Sequence, residues 1–355
     1  MVGAMAGFIW LLGVVMKSPR AARWNMIFLL LVAVMALQII LPDGHPLREA
    51  TGGDARLWAL IVALGFAIYG YSLLLRRLRA RAQLPAAFPS PAAPAGKFSD
   101  SELTRYARHI ILREVGGAGQ KALKEARVLV VGAGGLGAPA LQYLAAAGVG
   151  TIGVIDDDVV EAANLQRQVI HRDSSIGLPK ARSAAEAMNA QNPYVTVKPY
   201  SRRFTAEIAA ELVAEYDLIL DGTDNFASRY LVNETCVAAG KPLIAAALTQ
   251  WEGQISVYDP ARGTPCFACI FPKAPAPHLV PSCAEAGVIG PLPGVVGSMM
   301  ALEAVKLLAG AGDLLAGRML IYDALYAQTR TITMQPRADC AVCQGRGARA
   351  DAPAD

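Results

Sequence analysis

The stretch that most constrains the fold runs over residues 128–156 and combines a strand, a glycine turn, a helix and a second strand. Residues 128–131 form an apolar run typical of a parallel strand that is buried on both faces. Residues 132–137 have the pattern G-x-G-x-x-G, and a helical segment follows at 138–147. The second strand, 152–155, ends at Asp156. This order predicts a phosphate-binding βαβ unit with an acid placed for a ribose hydroxyl.

The glycines of this turn are candidate cofactor-binding residues. Gly132 and Gly134 permit a tight turn and the close approach of a ligand to the backbone, and Gly135 and Gly137 complete the motif where the helix begins. Taken with Asp156 alone, the motif favours an NAD-dependent oxidoreductase. A strand-to-helix turn without a ligand is the simpler alternative.

A polar run at residues 164–168 argues against a redox enzyme. It reads Asn164-Leu165-Gln166-Arg167-Gln168, and no redox cofactor requires such a segment. Lys180 follows at the start of the next predicted helix. A guanidinium and an ammonium together offer a bidentate clamp and a mobile point charge to a triphosphate. In isolation, the run is also consistent with a solvated loop.

Asp224 and Asn225 end the run 221–225, which follows a predicted buried strand at 218–220. A carboxylate at the end of such a strand is well placed to hold Mg²⁺, which prefers one or two carboxylates together with phosphate oxygens. Asp224 could equally cap the helix that follows, and that role is compatible with metal binding.

The alternation of helices and strands continues beyond the first βαβ unit. Helices are predicted at 180–190, 206–214 and 228–239, and strands at 196–199, 218–220 and 243–246. The fold class is therefore α/β, a Rossmann-like, doubly wound and mostly parallel sheet. From residue 254 the pattern changes to antiparallel strands, which we expect to form a second layer around a helix at 295–308.

The cysteines provide a second strong signal. Two Cys-x-x-Cys pairs, Cys266 with Cys269 and Cys340 with Cys343, supply four thiolates, enough for a closed tetrahedral zinc site. A zinc ion without an open coordination position is structural and takes no part in chemistry. A disulfide is disfavoured in a cytosolic domain, and a redox dithiol needs only one pair.

Two other cysteines stand apart from these pairs. Cys283 lies in a segment rich in proline and small residues, where the thiol is either a nucleophile or unreactive. Cys236 lies within a helical pattern and is predicted to be a small buried hydrophobic residue.

The N-terminal region is apolar enough to enter a membrane. Residues 24–41 contain only two polar side chains, Asn25 and Gln38, and residues 57–75 have no formal charge. At about 1.5 Å per residue, each segment approaches the roughly 30 Å of a hydrocarbon core. We predict two transmembrane helices there. Residues 1–16 are a third apolar segment, for which a span, an interfacial helix and a misassigned start are all open, whereas a cleaved signal peptide fits least.

Flanking charge predicts the topology of these helices. Lys17, Arg20 and Arg23 precede the first span and four arginines follow the second, so by the positive-inside rule both flanks lie in the cytoplasm. We expect the membrane to be a bacterial inner membrane. Of 33 basic and 29 acidic residues, nine and three fall in residues 1–83, so the remainder holds 24 and 26. A slightly acidic soluble part does not suit nucleic acid.

The domain plan follows from these segments. We expect a membrane region at 1–83, a Pro/Ala-rich linker at 84–98, a catalytic domain at 99–345 and a disordered tail at 346–355.

The motif set resembles the MoeB/ThiF/HesA family of E1-like adenylyltransferases. The resemblance covers about residues 99–344 and rests on the order and spacing of the motifs as much as on any single motif. It includes the run 105–109, the glycine turn, the run 164–168, Lys180, the Thr-Asp-Asn of 223–225, the Trp-Glu-Gly-Gln of 251–254, both cysteine pairs, and the Cys-Ala-Glu-Ala-Gly of 283–287.

The resemblance implies a reaction and an assignment of residues. The family binds Mg·ATP and the C-terminal Gly-Gly of a ubiquitin-like sulfur-carrier protein, whose carboxylate attacks the α-phosphate to give acyl-adenylate and pyrophosphate. By position, Asp156 would bind ribose, and Asn164, Arg167 and Lys180 would contact phosphates. Asp224 would hold the metal.

The resemblance also implies partners. Arg108 would match an arginine that reaches the ATP of a homodimer partner, and Cys283 would match a loop cysteine that some members link covalently to the carrier. No sulfurtransferase domain follows Cys343, so a separate protein would donate sulfur. The membrane region is a departure from the family. A membrane-bound nucleotide-binding scaffold without catalysis remains an alternative, as does the oxidoreductase.

Overall fold

The computed structural model describes most of the chain, which divides into two compact units, Met1–Phe88 and Pro89–Asp355. The described residues are 2–16, 18–52, 55–82, 97–274 and 287–344. The candidate nucleophile Cys283, nearly all of the predicted linker 84–98, and the predicted tail 346–355 lie outside these residues. The domain plan from the sequence therefore stays a prediction.

Among its described residues, the first unit consists of helices and their connections. Helix α1 (Val2–Val15) precedes α2 (Arg20–Ile40), a short α3 (Pro46–Ala50) and α4 (Ala55–Ala82). Helix α1 folds back onto the start of α2, because Trp10 packs edge-on against Trp24 with ring centroids 5.2 Å apart. The guanidinium of Arg23 lies 5.6 Å from the centroid of the Trp10 ring and donates to the carbonyl of Ser18.

Apolar helices are present where the sequence predicts membrane spans. Among the described residues, Ala22–Ile40 and Pro291–Ala309 are long and apolar enough to cross a membrane. The apolar part of α4, Trp58–Leu74, and helix α1 are shorter than that. In Pro291–Ala309, 44% of the residues are buried, as expected for a core helix, whereas in Ala22–Ile40 only 11% are. Length and composition alone thus do not separate a span from a core helix.

The second unit is built on one eight-stranded sheet. The strands are β1 (Arg127–Val131), β2 (Thr151–Ile155), β3 (Thr196–Tyr200), β4 (Leu218–Asp221), β5 (Leu243–Leu248), β6 (Glu252–Tyr258), β7 (Arg318–Asp323) and β8 (Gln328–Thr333). Their spatial order is β3-β2-β1-β4-β5-β6-β7-β8. Strands β1 to β5 pair in parallel and β5 to β8 pair antiparallel. The prediction of a doubly wound, mostly parallel sheet is confirmed.

The expectation that the antiparallel strands form a second layer is wrong. Strand β6 pairs with β5 along its whole length, from Leu243 opposite Tyr258 to Leu248 opposite Gly253. Only residues 249–251 connect the two strands, so the chain reverses directly into a hairpin. The antiparallel strands therefore extend the same sheet.

Helices cover both faces of this sheet. They are α5 (Asp100–Ile110), α6 (Gly116–Glu125), α7 (Gly137–Ala147), α8 (Lys180–Gln191), α9 (Ala206–Ala214), α10 (Phe226–Ala239), α11 (Phe267–Ile270) and α12 (Pro291–Ala309). Successive side chains of β1 enter different cores: Val128 and Val130 pack into one, and Leu129 and Val131 into the other. Burial on both faces explains why the strand is an unbroken apolar run.

The entry to the second unit is fixed by the predicted capping residues. Ser99 accepts from the amide of Glu102, and the Glu102 carboxylate accepts from the amide of Ser99, which completes a capping box at the start of α5. The buried Glu102 carboxylate also pairs with Lys124 of α6, with 2.7 Å between Nζ and Oε1. Burial raises the pKa of Glu102, but the hydrogen bonds from Lys124 and Ser99 outweigh it, so the pKa lies below its ordinary value.

Candidate functional site

The glycine turn lies where the strand order reverses. Strand β1 has β2 on one side and β4 on the other, so the carboxyl ends of β1 and β4 border a crevice of the kind that binds ligands in open α/β sheets. Gly132 has φ +95°, and a Cβ there would lie 3.1 Å from the carbonyl oxygen of Gly222, just after β4. A Cβ on Gly137 would lie 1.9 Å from the carbonyl oxygen of Gly132. Both positions therefore require glycine.

Asp156 closes β2 beside this turn. Its carboxylate accepts from the amide of Ala133 at 2.7 Å and from the amide of Asp158 at 2.9 Å. Burial raises the pKa of Asp156 above its ordinary value, although both amides act in the opposite direction. The carboxylate thus organises the glycine turn, and its remaining lone pairs are the ones that a ribose hydroxyl could use.

The polar run lies next to the glycine turn. Arg167 donates to the carbonyl of Ala163 at 3.1 Å and contacts Oδ1 of Asn164 at 3.4 Å. A Cβ on Gly135 would lie 3.9 Å from Cδ of Arg167. Gln168 is buried, and its Oε1 has no hydrogen-bond partner among the described residues. The structure thus brings the run and the turn together, as the sequence predicts.

Lys180 is the first residue of α8 and is 6% exposed. Its Nζ lies 2.8 Å from Oδ2 of Asp158, and its backbone amide donates to the carbonyl of Asp158. Asp158 follows Asp156 by two residues, so the pair joins the end of β2 to the start of α8. A phosphate that binds Lys180 must share this ammonium with Asp158.

Asp224 and Asn225 have different positions after β4. Asn225 caps α10, because its Oδ1 accepts from the amide of Ser228 at 2.9 Å. Asp224 is exposed, and within the described part of the chain its carboxylate has no hydrogen-bond or ion-pair partner. The suggestion that Asp224 itself caps the helix is wrong, since the next residue takes that role. Its carboxylate remains available for a cation.

Two charged residues missed at the sequence level support this loop. The buried carboxylate of Asp221 accepts from the amide and the hydroxyl of Thr223, at 2.9 and 2.6 Å. The buried guanidinium of Arg229 donates to the carbonyl of Thr223, and its Nη1 lies 4.0 Å from Asp221. In the sequence, this pair is indicated only by Asp221, an aspartate at the end of an otherwise apolar strand.

His171 is a third residue missed at the sequence level. It is 6% exposed, and its two ring nitrogens lie 3.0 Å from the carbonyl oxygen of Ala133 and 2.9 Å from Oγ of Ser183. Burial lowers its pKa below the ordinary value, with a further contribution from the charge of Lys180. The imidazole therefore joins the glycine turn to α8. Its place three residues after the polar run was the only sequence signal.

The four paired cysteines form a compact buried cluster. Sγ of Cys266 lies 3.7 Å from that of Cys269 and 3.6 Å from that of Cys340, and Sγ of Cys269 lies 3.4 Å from that of Cys343. Four thiolates at about 2.3 Å from a tetrahedral zinc ion lie roughly 3.8 Å apart. The donor set and its spacing therefore fit zinc.

Helix α10 connects the nucleotide crevice to this cluster. Oδ1 of Asn233 accepts from the amide of Phe267, directly after the first cysteine of the pair, and the Tyr230 hydroxyl donates to the carbonyl of Phe271. Cys236 of the same helix is 2% exposed, which confirms the prediction of a small buried hydrophobic residue, and burial raises the pKa of its thiol.

Arg108 lies apart from the crevice residues described above. It is exposed on α5, and among the described residues its side chain has no ion-pair partner. The same helix carries Tyr106, which is buried against Gly148 at the end of α7. A role at a nucleotide bound by another subunit thus remains a prediction.

The crevice combines the groups that phosphoryl chemistry needs. Backbone amides at the start of α7 and the guanidinium of Arg167 lie at the glycine turn, Lys180 lies at the end of β2, and the unpaired carboxylate of Asp224 follows β4. Such a set can hold a triphosphate, neutralise its charge and fix a divalent cation.

Comparison with known proteins identifies relatives of this unit. The sequence profile of the ThiF family matches residues 106–342. A sulfur carrier protein adenylyltransferase from Thermus thermophilus is 51% identical over 251 residues, which are 70% of this chain and 93% of that protein. A probable adenylyltransferase/sulfurtransferase, MoeZ, from Mycobacterium tuberculosis is 50% identical over 255 residues, which are 71% of this chain and 65% of that protein.

The fold is similar to that of solved structures. The crystal structure of E. coli MccB with ATP superposes with a TM-score of 0.59 at 23% identity, over 70% of this chain and 76% of that one. At this level of identity the likeness shows the shared fold.

Proposed function

This chain belongs to the ThiF family, and we propose that it adenylylates the C-terminal glycine of a ubiquitin-like sulfur-carrier protein for sulfur transfer in cofactor biosynthesis. The observation that carries the proposal is the set of charged groups at the carboxyl ends of three neighbouring strands: Arg167 beside the glycine turn after β1, Lys180 at the end of β2, and the unpaired Asp224 after β4. The alternative of an NAD-dependent oxidoreductase explains none of these three side chains.

The reaction is a displacement at phosphorus. A carboxylate oxygen of the terminal glycine attacks the α-phosphorus of ATP, the bond from that phosphorus to the bridging oxygen breaks, and pyrophosphate leaves. The transition state spreads negative charge over the phosphoryl oxygens. Arg167 and Lys180 neutralise this charge, and the amides at the start of α7 hold phosphate oxygens. Asn164 orients the guanidinium of Arg167, with which it is already in contact.

Asp156 binds the ribose of ATP, and the glycines lie at its phosphates. Asp156 accepts from a ribose hydroxyl while it retains the amides of Ala133 and Asp158. Gly132 permits the tight turn, because a Cβ there would meet the carbonyl of Gly222, and Gly134 lets a phosphate approach the backbone, because the space around it is open.

Asp224 holds Mg²⁺, and Asn225 fixes the start of α10 beside it. The fit rests on donor chemistry, because an exposed and unpaired carboxylate next to a phosphate site is the ligand that Mg²⁺ prefers. Bound Mg²⁺ screens the phosphate charge. Asp221 and Arg229 hold the loop from which Asp224 projects.

The four-cysteine cluster holds a structural zinc ion. All four thiols are buried and lie within 4.8 Å of one another, which leaves no open coordination position for a substrate. The zinc ion would tie the segment after β6 to the end of the described chain.

The partners are proposed from the family resemblance. The chain acts as a homodimer in which Arg108 reaches the nucleotide of the partner. Cys283 is the candidate for a covalent link to the carrier. Nucleic acid is not a partner, since the soluble part carries no excess of basic residues.

The first unit anchors the enzyme to a membrane, with the catalytic unit in the cytoplasm. The support is the apolar helix Ala22–Ile40, the apolar stretch Trp58–Leu74 within α4, and the basic residues that flank both. Protease treatment of intact cells and of inverted vesicles tests this. Cleavage of the catalytic unit in intact cells would overturn the proposed topology.

ATP–pyrophosphate exchange with Gly-Gly-ended carriers tests the proposed activity on the full chain in detergent. We expect carrier-dependent exchange that falls at least a hundredfold in Asp224→Asn, since the metal carboxylate is lost. Asp157→Asn is the matched control, because Asp157 lies at the same end of the sheet but pairs with Arg203 at the surface. ATP binding without exchange for any carrier would favour a non-catalytic scaffold.

A further inference from the structure

Ala133, in the middle of the glycine turn, is held on both sides of its backbone. Its amide donates to Oδ2 of Asp156 at 2.7 Å, and its carbonyl oxygen lies 3.0 Å from Nε2 of His171. The βαβ motif accounts for Asp156, but the role proposed for this site leaves the buried imidazole unused.

The two contacts of His171 determine its tautomer. A carbonyl oxygen can only accept a hydrogen bond, so Nε2 must carry the proton. Nδ1 then accepts from the hydroxyl of Ser183, 2.9 Å away. Since burial lowers the pKa of His171, the neutral ring with one donor and one acceptor is the form that this environment favours.

The bond to Ala133 fixes the direction of a peptide group. The described chain contains no cis peptide, and in a trans peptide the C=O and the N–H point in opposite directions. With the Ala133 carbonyl directed at His171, the amide of Gly134 must face away from the imidazole. Among the described residues no backbone or side-chain acceptor takes this amide.

The space around Gly134 is open. A Cβ built there would meet no atom closer than Nε2 of Gln168, at 3.8 Å. The Gly134 amide, just before the start of α7, is therefore free to donate to an anion.

The contact with Ser183 links the imidazole to α8, the helix that carries the candidate phosphate-binding residue Lys180. Ser183 lies one turn after Lys180 on α8 and is itself 3% exposed. The chain of contacts from Ser183 through His171 to Ala133 thus sets the distance between the glycine turn and the helix that carries Lys180.

We propose that His171 is a positioning residue that holds the 133–134 peptide in the orientation in which the Gly134 amide binds a nucleotide phosphate. The inference rests on the proposed function, since it assumes a nucleotide in the crevice. Without the imidazole, the Ala133 carbonyl loses its donor, and the peptide samples other orientations, so the Gly134 amide is presented for only part of the time. Affinity for ATP falls, whereas the chemical step and carrier binding change little.

Two variants separate the contacts of the imidazole. The side-chain amide of His171→Gln extends to the position of Nε2 and can still donate to the Ala133 carbonyl, whereas that of His171→Asn reaches only the position of Nδ1 and Ser183. We expect His171→Asn to raise the Kd for a non-hydrolysable ATP analogue, and the KM for ATP, about five- to tenfold. His171→Gln should stay within about twofold of the parent chain, and the KM for the carrier should not change.

The readouts distinguish positioning from a general structural role. Equal weakening by both variants, or by neither, would overturn the proposal, because His171→Gln keeps the donor to Ala133 and loses the contact with Ser183, whereas His171→Asn does the reverse. If His171→Asn does not fold, the test is nitrogen NMR of His171 in the parent chain. The proposal requires the ring proton on Nε2, and a proton on Nδ1 contradicts the bond to the carbonyl. A parent chain that binds no ATP refutes the proposed function itself, independently of His171.

Discussion

Two glycines that end helices give a quantitative test of the packing beneath α5. Gly148 follows α7 with φ +81°, and Gly240 follows α10 with φ +63°. Both lie in the left-handed region, where an alanine costs about 1–2 kcal/mol. Nothing lies within 4 Å of a Cβ at Gly240, but a Cβ at Gly148 would lie 2.4 Å from Cζ of Tyr106.

The Tyr106 ring cannot easily give way. It is 3% exposed, and its hydroxyl accepts from Nδ2 of Asn192 at 2.8 Å. Overpacking of this kind adds about 1–3 kcal/mol. We therefore expect Gly240→Ala to lower the free energy of unfolding by about 1–2 kcal/mol, and Gly148→Ala by about 2–5 kcal/mol.

Urea unfolding of the full chain in detergent measures both free energies of unfolding. It is monitored by the change in circular dichroism that accompanies unfolding of the second unit. Gly148→Ala should also reduce ATP–pyrophosphate exchange, because the displaced α5 carries Arg108, whereas Gly240→Ala should retain it. If Gly148→Ala costs no more than Gly240→Ala, the ring of Tyr106 does not occupy the space described, and the reasoning fails.

Three further predictions concern metal, charge and helix packing. Cys340→Ser should reduce bound zinc from roughly one ion per chain to near zero, measured by atomic emission on protein purified without chelator. Lys124→Met leaves the buried Glu102 carboxylate without its cation and should cost about 3 kcal/mol at pH 7. The parent pair stabilises the fold above the ordinary pKa of Glu102 and loses this contribution as the pH falls through the lowered folded pKa, so the difference should shrink towards pH 4. On α12, Gly297→Ala should weaken ATP binding, because its Cβ would lie 2.3 Å from a carbonyl oxygen at the start of α7, whereas Gly294→Ala, with nothing within 4 Å, should not.

Each of these has a contradicting outcome. Full zinc content in Cys340→Ser would exclude the four-thiolate site. A destabilisation by Lys124→Met that does not change with pH would show that Glu102 is not the group responsible. Equal ATP affinity of the two α12 variants would show that α12 does not constrain the glycine turn.

The parts of the site that the sequence predicts are those in which spacing determines structure. A G-x-G-x-x-G between a buried strand and a helix allows one backbone geometry. The sequence alone therefore locates Gly132 in the turn and Asp156 at the end of the second strand. Two Cys-x-x-Cys pairs likewise specify a four-thiol cluster, and it is present.

Other features depend on contacts that no local pattern encodes. The bond from His171 to Ala133 joins residues from different segments, and the pairing of Lys180 with Asp158 depends on how α8 meets the end of β2. Asn225 rather than Asp224 caps α10, a choice between two good capping residues that the backbone makes. The sequence predicts a second layer for the antiparallel strands because a strand pattern shows which face of a strand is buried. It does not show which strand pairs with it.

The position of the crevice between β1 and β4 also has a consequence for folding order. Val128 of β1 pairs with Leu218 of β4, so a long intervening segment must close before these strands meet. Gly132 and Gly222 come into contact only after that closure. A chain that has formed only β1, α7 and β2 therefore has the glycine turn but not the opposite wall of the crevice. ATP binding should thus appear late in refolding, and its appearance can report that the central strands have paired.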